Sequence, residues 1–135
     1  MVWLNPIYPS PQRDNGYDIS DYVAIDPVFG TMDDFETLIH EGKKRGIDIM
    51  LDMVLNHVST EHEWFQKALA GDPYYQDFFF IQDEPTDWVS KFGGSAWAPF
   101  GDTGKYYLHL FAEGQPDLNM DNPKVREEIK DIMRF

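Results

Sequence analysis

Cysteine is absent from the 135 residues, which removes disulfides and thiolate metal sites at once and fits a reducing, cytoplasmic setting. Basic residues are scarce: 11 Lys and Arg face 24 Asp and Glu, a net charge of −13. A binder of phosphates needs clustered cations to release counterions, so nucleic acid is excluded as a partner, and an anionic membrane surface for the same reason. No apolar run approaches the roughly 20 residues that a membrane span requires, and the N-terminus lacks the basic and apolar regions of a signal peptide. Neither an internal repeat nor a low-complexity tract is present. With 42% hydrophobic and 26% charged residues, the balance is that of a globular chain, and the length leaves no room for a second full domain.

Val2 to Ile7 reads as a short strand that Pro6 and the Tyr8-Pro9-Ser10-Pro11 stretch cut off. Residues 9 to 30 hold dense turn punctuation, including Asp14-Asn15-Gly16, and a loop this long in a compact domain is usually functional. Thr31 with Asp34 forms a capping-box pattern. Met32, Phe35, Leu38 and Ile39 then share one helical face, ended by Lys43-Lys44-Arg45-Gly46. The run Ile47 to Leu55 predicts a parallel strand buried on both faces, which completes a strand–helix–strand unit. Beyond it lie an amphipathic segment at Glu63 to Leu69 and an aromatic, Gly- and Pro-rich stretch to about Asn119. Within that stretch, Ser95 to Phe100 and Lys105 to Phe111 flank a Gly101-Asp102-Thr103-Gly104 hairpin turn. Asn122 caps a final helix with Pro123 in its first turn and Val125, Ile129, Ile132 and Met133 on its apolar face.

Asp52-Met53-Val54-Leu55-Asn56-His57 sets polar side chains at the carboxyl end of a buried strand, where ligand sites of βα folds gather. The residues alone leave two readings level. Asp52 and Asn56 satisfy backbone groups at the strand end while His57 caps the loop, or the three belong to a site. Asp14 and Tyr17 pair a bidentate acceptor with a flat apolar ring, a combination suited to a sugar, and the competing reading is an acidic surface turn that includes Asp18, Asp21 and Asp26.

The hexapeptide resembles the first conserved region of the alpha-amylase superfamily, glycoside hydrolase family 13, in oligo-1,6-glucosidase, alpha-glucosidase and trehalose-6-phosphate hydrolase form. Asp14 to Tyr22 is similar to that family's loop after barrel strand two, Gln115-Pro116-Asp117-Leu118-Asn119 to its fifth region, and Ser90 to Trp97 with Tyr106 to Phe111 to its subdomain. The resemblance implies an α/β fold, a partial TIM (β/α)8 barrel of about two strands and two helices with an inserted small α+β subdomain. Residues 1–56 would be the barrel segment from strand two to strand three, 57–119 the inserted subdomain B and 120–135 the helix after strand three. It also implies a retaining alpha-glucosidase acting on short oligosaccharides, whose nucleophile and general acid lie outside this chain, so the chain alone is expected to be inactive. His57 would bond the primary hydroxyl of the bound sugar ring, Asp14 its far hydroxyls, Tyr17 its face, and Phe92 would lean over the pocket mouth. A lone Phe in such a subdomain is otherwise core. Asp52, Asn56, Gln115 and Asp117 are supporting candidates. No cofactor or structural metal is expected, calcium on Asn56 and Asp117 being the rival expectation.

Two other readings stand beside this one. Trehalose-6-phosphate hydrolase is favoured by Ser90 to Ser95 and opposed by Pro116, with Arg13 and Lys91 on hand for a phosphate. A non-enzymatic family member is opposed by the intact Asp14, Tyr17 and His57. Open strand edges predict self-association or pairing with missing barrel segments.

Overall fold

The computed structural model describes residues 1–135. Strand β1 (Val2–Leu4) pairs in parallel with β2 (Ile49–Leu51), Val2 opposite Ile49 and Leu4 opposite Leu51, and helix α1 (Met32–Lys44) connects them. The Thr31 hydroxyl accepts from the Asp34 N–H while the Asp34 carboxylate accepts from the Thr31 N–H, the reciprocal cap expected from the sequence. At its far end, Gly42 lets the chain fold back tightly: a Cβ there would come within 2.9 Å of the Ile47 carbonyl oxygen. That approach sets the angle at which the chain enters β2.

Burial of this unit departs from expectation. The strand expected over residues 47–55 is regular only at Ile49–Leu51 and exposes Met50 on one face, and α1 has no buried residue. The reason is arithmetic of partners, since a two-stranded sheet covers neither face of its strands nor the whole stripe of a helix. Phe35 and Ile39 meet Ile47, Ile49 and Leu51 across a groove that stays open to solvent.

The core lies elsewhere. One buried cluster joins Tyr8, Ile19 and Tyr22 of the first loop to Val58, Trp64, Phe65, Phe78, Phe100, Tyr107 and Leu118 of the middle segment and Val125 and Ile129 of the last helix. Helix α2 (Glu63–Leu69) supplies Phe65, whose ring meets those of Phe79, Phe100 and Tyr107 edge-on at 5.0–5.6 Å. A one-turn helix α3 (Pro73–Gln76), capped by Asp72, and a two-residue strand β3 (Ile81–Gln82) follow. The expected hairpin is present as β4 (Trp97–Pro99) and β5 (Tyr106–Leu108) around the 101–104 turn, and β3 joins it in the antiparallel order β3-β5-β4. Pro99 is tolerated because β4 is an edge. Helix α4 (Pro123–Arg134) starts as expected: Asn122 accepts from the Lys124 N–H and donates to the Asp77 carbonyl, pinning the helix to the middle segment. No helix is long and apolar enough to cross a membrane.

Candidate functional site

The loop from Ser10 to Asp18 is built around a buried carboxylate. Asp18 has no exposed surface and accepts from the Ser10 hydroxyl (2.9 Å), the Arg13 N–H (3.0 Å) and the Asp14 N–H (3.2 Å). Two successive backbone N–H groups turned toward one anion form a concave nest, and the backbone reaches it through left-handed conformations at Gln12, Asn15 and Gly16 (φ 59°, 53° and 93°). Asp18 is therefore not part of a solvated surface turn, as its neighbours in sequence suggest. The converging N–H groups replace water as its hydrogen-bond partners. Asp26 is likewise engaged, by the N–H groups of Ser10 and Val28, whereas Asp21 accepts from Val23 at the half-exposed rim.

The nest holds Asp14 and Tyr17 beside the end of β2. His57 is almost fully buried, with Nε2 3.0 Å from the Tyr17 carbonyl oxygen, 3.1 Å from Gln115 Nε2, and Nδ1 against the Asn56 amide. Gln115 is 1% exposed. Its carbonyl oxygen accepts from the Ala112 N–H, which turns its amide nitrogen inward to donate to Asp14 Oδ2 at 2.9 Å. With Asn56 donating to Nδ1, the ring proton sits on Nε2 and goes to the Tyr17 carbonyl, so the Gln115 amide nitrogen at 3.1 Å is a close polar neighbour of Nε2 rather than its donor. Burial lowers the His57 pKa, opposed by its bond to the Tyr17 carbonyl and by Asp14 and Asp18, so the imidazole is chiefly neutral at pH 7. The Tyr17 hydroxyl donates to Asp52 Oδ2 at 3.0 Å, which fixes the ring and raises the phenol pKa by holding its proton.

Asp14, Tyr17, His57, Asn56, Asp52 and Gln115 thus meet in one hydrogen-bonded cluster. Phe92 is not in it: 63% exposed, it reaches the cluster through Phe111, whose ring is 5.9 Å from Phe92 and 5.3 Å from His57. Phe111 was not singled out by the sequence; its one signal is its position four residues before Gln115. Asp117 pairs with His57 through backbone as an isolated bridge, but its carboxylate turns away to accept from the Leu110 N–H, and burial raises its pKa. No group of three or more His, Asp or Glu converges on a possible metal site. Chemically, the cluster offers a carboxylate, amide donors, a neutral imidazole and aromatic faces, a set that orients hydroxyl groups.

Residues 1–135 match the family model described as "Alpha amylase, catalytic domain". The chain is 52% identical to the trehalose-6-phosphate hydrolase of Escherichia coli (strain K12) and 50% identical to the oligo-1,6-glucosidase of Heyndrickxia coagulans, over 99% of its own length in each case. Against the crystal structure of Bacillus licheniformis trehalose-6-phosphate hydrolase the TM-score is 0.94 at 51% identity, over 98% of this chain. The chain spans about a quarter of the length of these relatives, 25% in each.

Proposed function

The chain belongs to the alpha-amylase family, whose catalytic domain is a TIM barrel, and from that premise we propose that it furnishes half of the sugar pocket of an alpha-glucosidase of the oligo-1,6-glucosidase type. In this reading β1, α1 and β2 are barrel strand two, helix two and strand three, residues 57–119 are an inserted subdomain, and α4 is the next barrel helix. The parent enzyme works in the cytoplasm on short alpha-linked glucosides. Catalytic carboxylates come from other parts of the barrel.

One observation carries the reading: Gln115 donates to Asp14 while its amide nitrogen lies 3.1 Å from His57 Nε2 at the carboxyl end of a parallel strand, so groups far apart in sequence converge there. Asp14 takes the far hydroxyls of the ring, His57 the primary hydroxyl through an Nε2 N–H shared with the Tyr17 carbonyl, Tyr17 one face, and Phe92 with Phe111 the mouth. Asp52 and Asn56 hold Tyr17 and His57 in place.

The test is a chimera in which this chain replaces the matching quarter of the Heyndrickxia coagulans enzyme, assayed on isomaltose. A bond to the Asp14 carboxylate that tightens in the transition state is worth about 1.5–3 kcal/mol, roughly one to two powers of ten in rate, and one to the neutral His57 about 0.5–1.5 kcal/mol, up to about tenfold. Asp14→Ala and His57→Ala should therefore lower kcat, not only raise KM. A folded chimera in which His57→Ala matches the parent overturns the assignment.

A second reading, trehalose 6-phosphate as substrate, is favoured by the Arg13 side chain. It forms no ion pair and lies along the turn next to Gln115, where a Cβ on Gly114 would meet it at 3.3 Å. Lys91 is exposed and also free of an ion pair. Turnover of trehalose 6-phosphate by the chimera, lost in Arg13→Ala while isomaltose turnover persists, would decide for it.

A further inference from the structure

Between the end of β5 and the buried stretch from Gln115 to Leu118, the chain makes a partly exposed turn over Leu110 to Gly114. Backbone in such a turn ordinarily meets water. Here four buried side chains take its polar groups instead. Asp117 Oδ1 accepts from the Leu110 N–H at 2.9 Å, and His109 Nδ1, which carries the proton of its bond, donates to the Phe111 carbonyl at 3.1 Å. Gln115 Oε1 accepts from the Ala112 N–H at 3.0 Å, and the Tyr107 hydroxyl donates to the Glu113 carbonyl at 2.6 Å. Four consecutive residues are thus each held by a different side chain, and those side chains are only 1% to 8% exposed.

The spacing shows how this is done. Every second residue contributes on each flank, Tyr107 and His109 on the way in, Gln115 and Asp117 on the way back, and the Asp117 N–H donates to the Leu108 carbonyl at 3.0 Å to keep the flanks together. The Lys91 N–H ties the Leu110 carbonyl to the neighbouring loop at 2.7 Å. All of these bonds join residues 91–117, so they persist whatever packs against the barrel segment.

Asp117 is the member that costs most to place. It has no salt-bridge partner, and burial raises its pKa against the bond from Leu110 and the nearby His109. Leaving the Leu110 N–H to water would close the turn without burying a carboxylate. What the clamp adds is rigidity, and the ring it delivers is Phe111, 5.3 Å from that of His57.

We propose that Asp117 is a positioning residue of this site: with His109 and Tyr107 it fixes the 110–113 turn, so that Phe111 stays against His57. This assignment rests on the sugar-pocket reading and adds to it a carboxylate that acts through the turn.

The experiment measures steady-state kinetics on isomaltose for the chimera with the Heyndrickxia coagulans enzyme, each variant assayed well below its melting temperature. The variants are Asp117→Leu, Asp117→Asn, Phe111→Ala and the double variant of Asp117→Leu with Phe111→Ala. Leu has the branched shape of Asp but accepts nothing, whereas Asn keeps an oxygen for the Leu110 N–H. Asp117→Leu should lower kcat/KM about tenfold, inside the roughly hundredfold that a misplacement of about 1 Å costs, and Asp117→Asn should recover most of that loss. The double variant should be no worse than Phe111→Ala alone, whereas a purely structural contribution would add to it. Additive losses overturn the proposal, as does an Asp117→Asn variant as impaired as Asp117→Leu. Parental kcat/KM in Asp117→Leu beside an impaired Phe111→Ala overturns it and leaves the sugar pocket standing; parental values in both remove Phe111 from the pocket as well. If Asp117→Leu does not fold, Tyr107→Phe takes its place in the cycle, since it deletes only the hydroxyl on the Glu113 carbonyl and keeps the ring against Phe65. An undiminished kcat/KM or an additive loss there counts against the proposal in the same way.

Discussion

Replacing Asp18 by Asn is the sharpest test of how the pocket loop is held. The carboxylate serves three donors, the hydroxyl of Ser10 and the N–H groups of Arg13 and Asp14, with no access to water. An Asn of the same shape keeps one accepting oxygen but turns an N–H₂ toward at least one of those donors. The substitution removes one or two charge-assisted bonds, each worth about 1.5–3 kcal/mol, and strands their partners. A net loss of about 2–4 kcal/mol is expected, a large share of the 5–15 kcal/mol that stabilises a typical domain. With an unfolding entropy of roughly 2.1 cal/mol/K per residue, this lowers Tm by about 7–14 °C. Thermal melting of the chain followed by circular dichroism measures it directly, with the exposed Asp87→Asn as control, expected within about 2 °C of the parent. Asp14→Ala should shift Tm by no more than a few degrees, because Asp14 is half-buried and makes one side-chain bond, to Gln115. The loop's anchor and the residue proposed to face the sugar thereby separate. Should Asp18→Asn melt with the control, the nest does not hold this loop and the account of the site given above is wrong.

Stability should fall with acid through His62: with its pKa lowered to about 4 in the folded chain and near 6.5 when unfolded, the unfolded state binds the extra proton between those values. The contribution, about 3 kcal/mol, is fully present above pH 6.5 and lost as pH falls toward 4, so Tm measured from pH 7.5 to 4.5 should decline more steeply in the parent than in His62→Gln, and parallel curves would contradict it. The chain alone should leave p-nitrophenyl alpha-glucoside intact in a colorimetric assay, because in the proposed reading the acid and the nucleophile come from other parts of the barrel. It should also self-associate in sedimentation through the open edges of β1 and β2, where Trp3 and Met50 are exposed. A monodisperse monomer would show that these edges are already blunted.

What the sequence disclosed is local. The Thr31–Asp34 cap, the Asn122-Pro123 helix start, the limits of α2 and the 101–104 hairpin depend on residues within a few positions of one another, and each is found where pattern places it. Helix α3 and strand β3, of four and two residues, exist only because packing supports them, and nothing periodic announces elements so short. Asp52, Asn56, His57, Asp14, Tyr17 and Gln115 were legible through motif, and the structure brings them together. Asp18 was misread because its partners are backbone N–H groups that face it only after three residues adopt left-handed conformations. Phe111 was overlooked because an aromatic on a strand margin looks like core until its neighbours are known.

The bond between Gln115 and Asp14 spans 101 positions of the chain. Such a contact closes a long loop and depends on the middle segment holding its shape, so it should be among the first to dissolve when that segment opens. The stretch between His57 and Gln115 can therefore vary in length and surface where it does not touch the cluster, provided it keeps Phe111 against His57 and delivers Gln115 to the same spot. Hydrogen exchange at the Gln115 side-chain amide would then report the integrity of the entire excursion through a single proton.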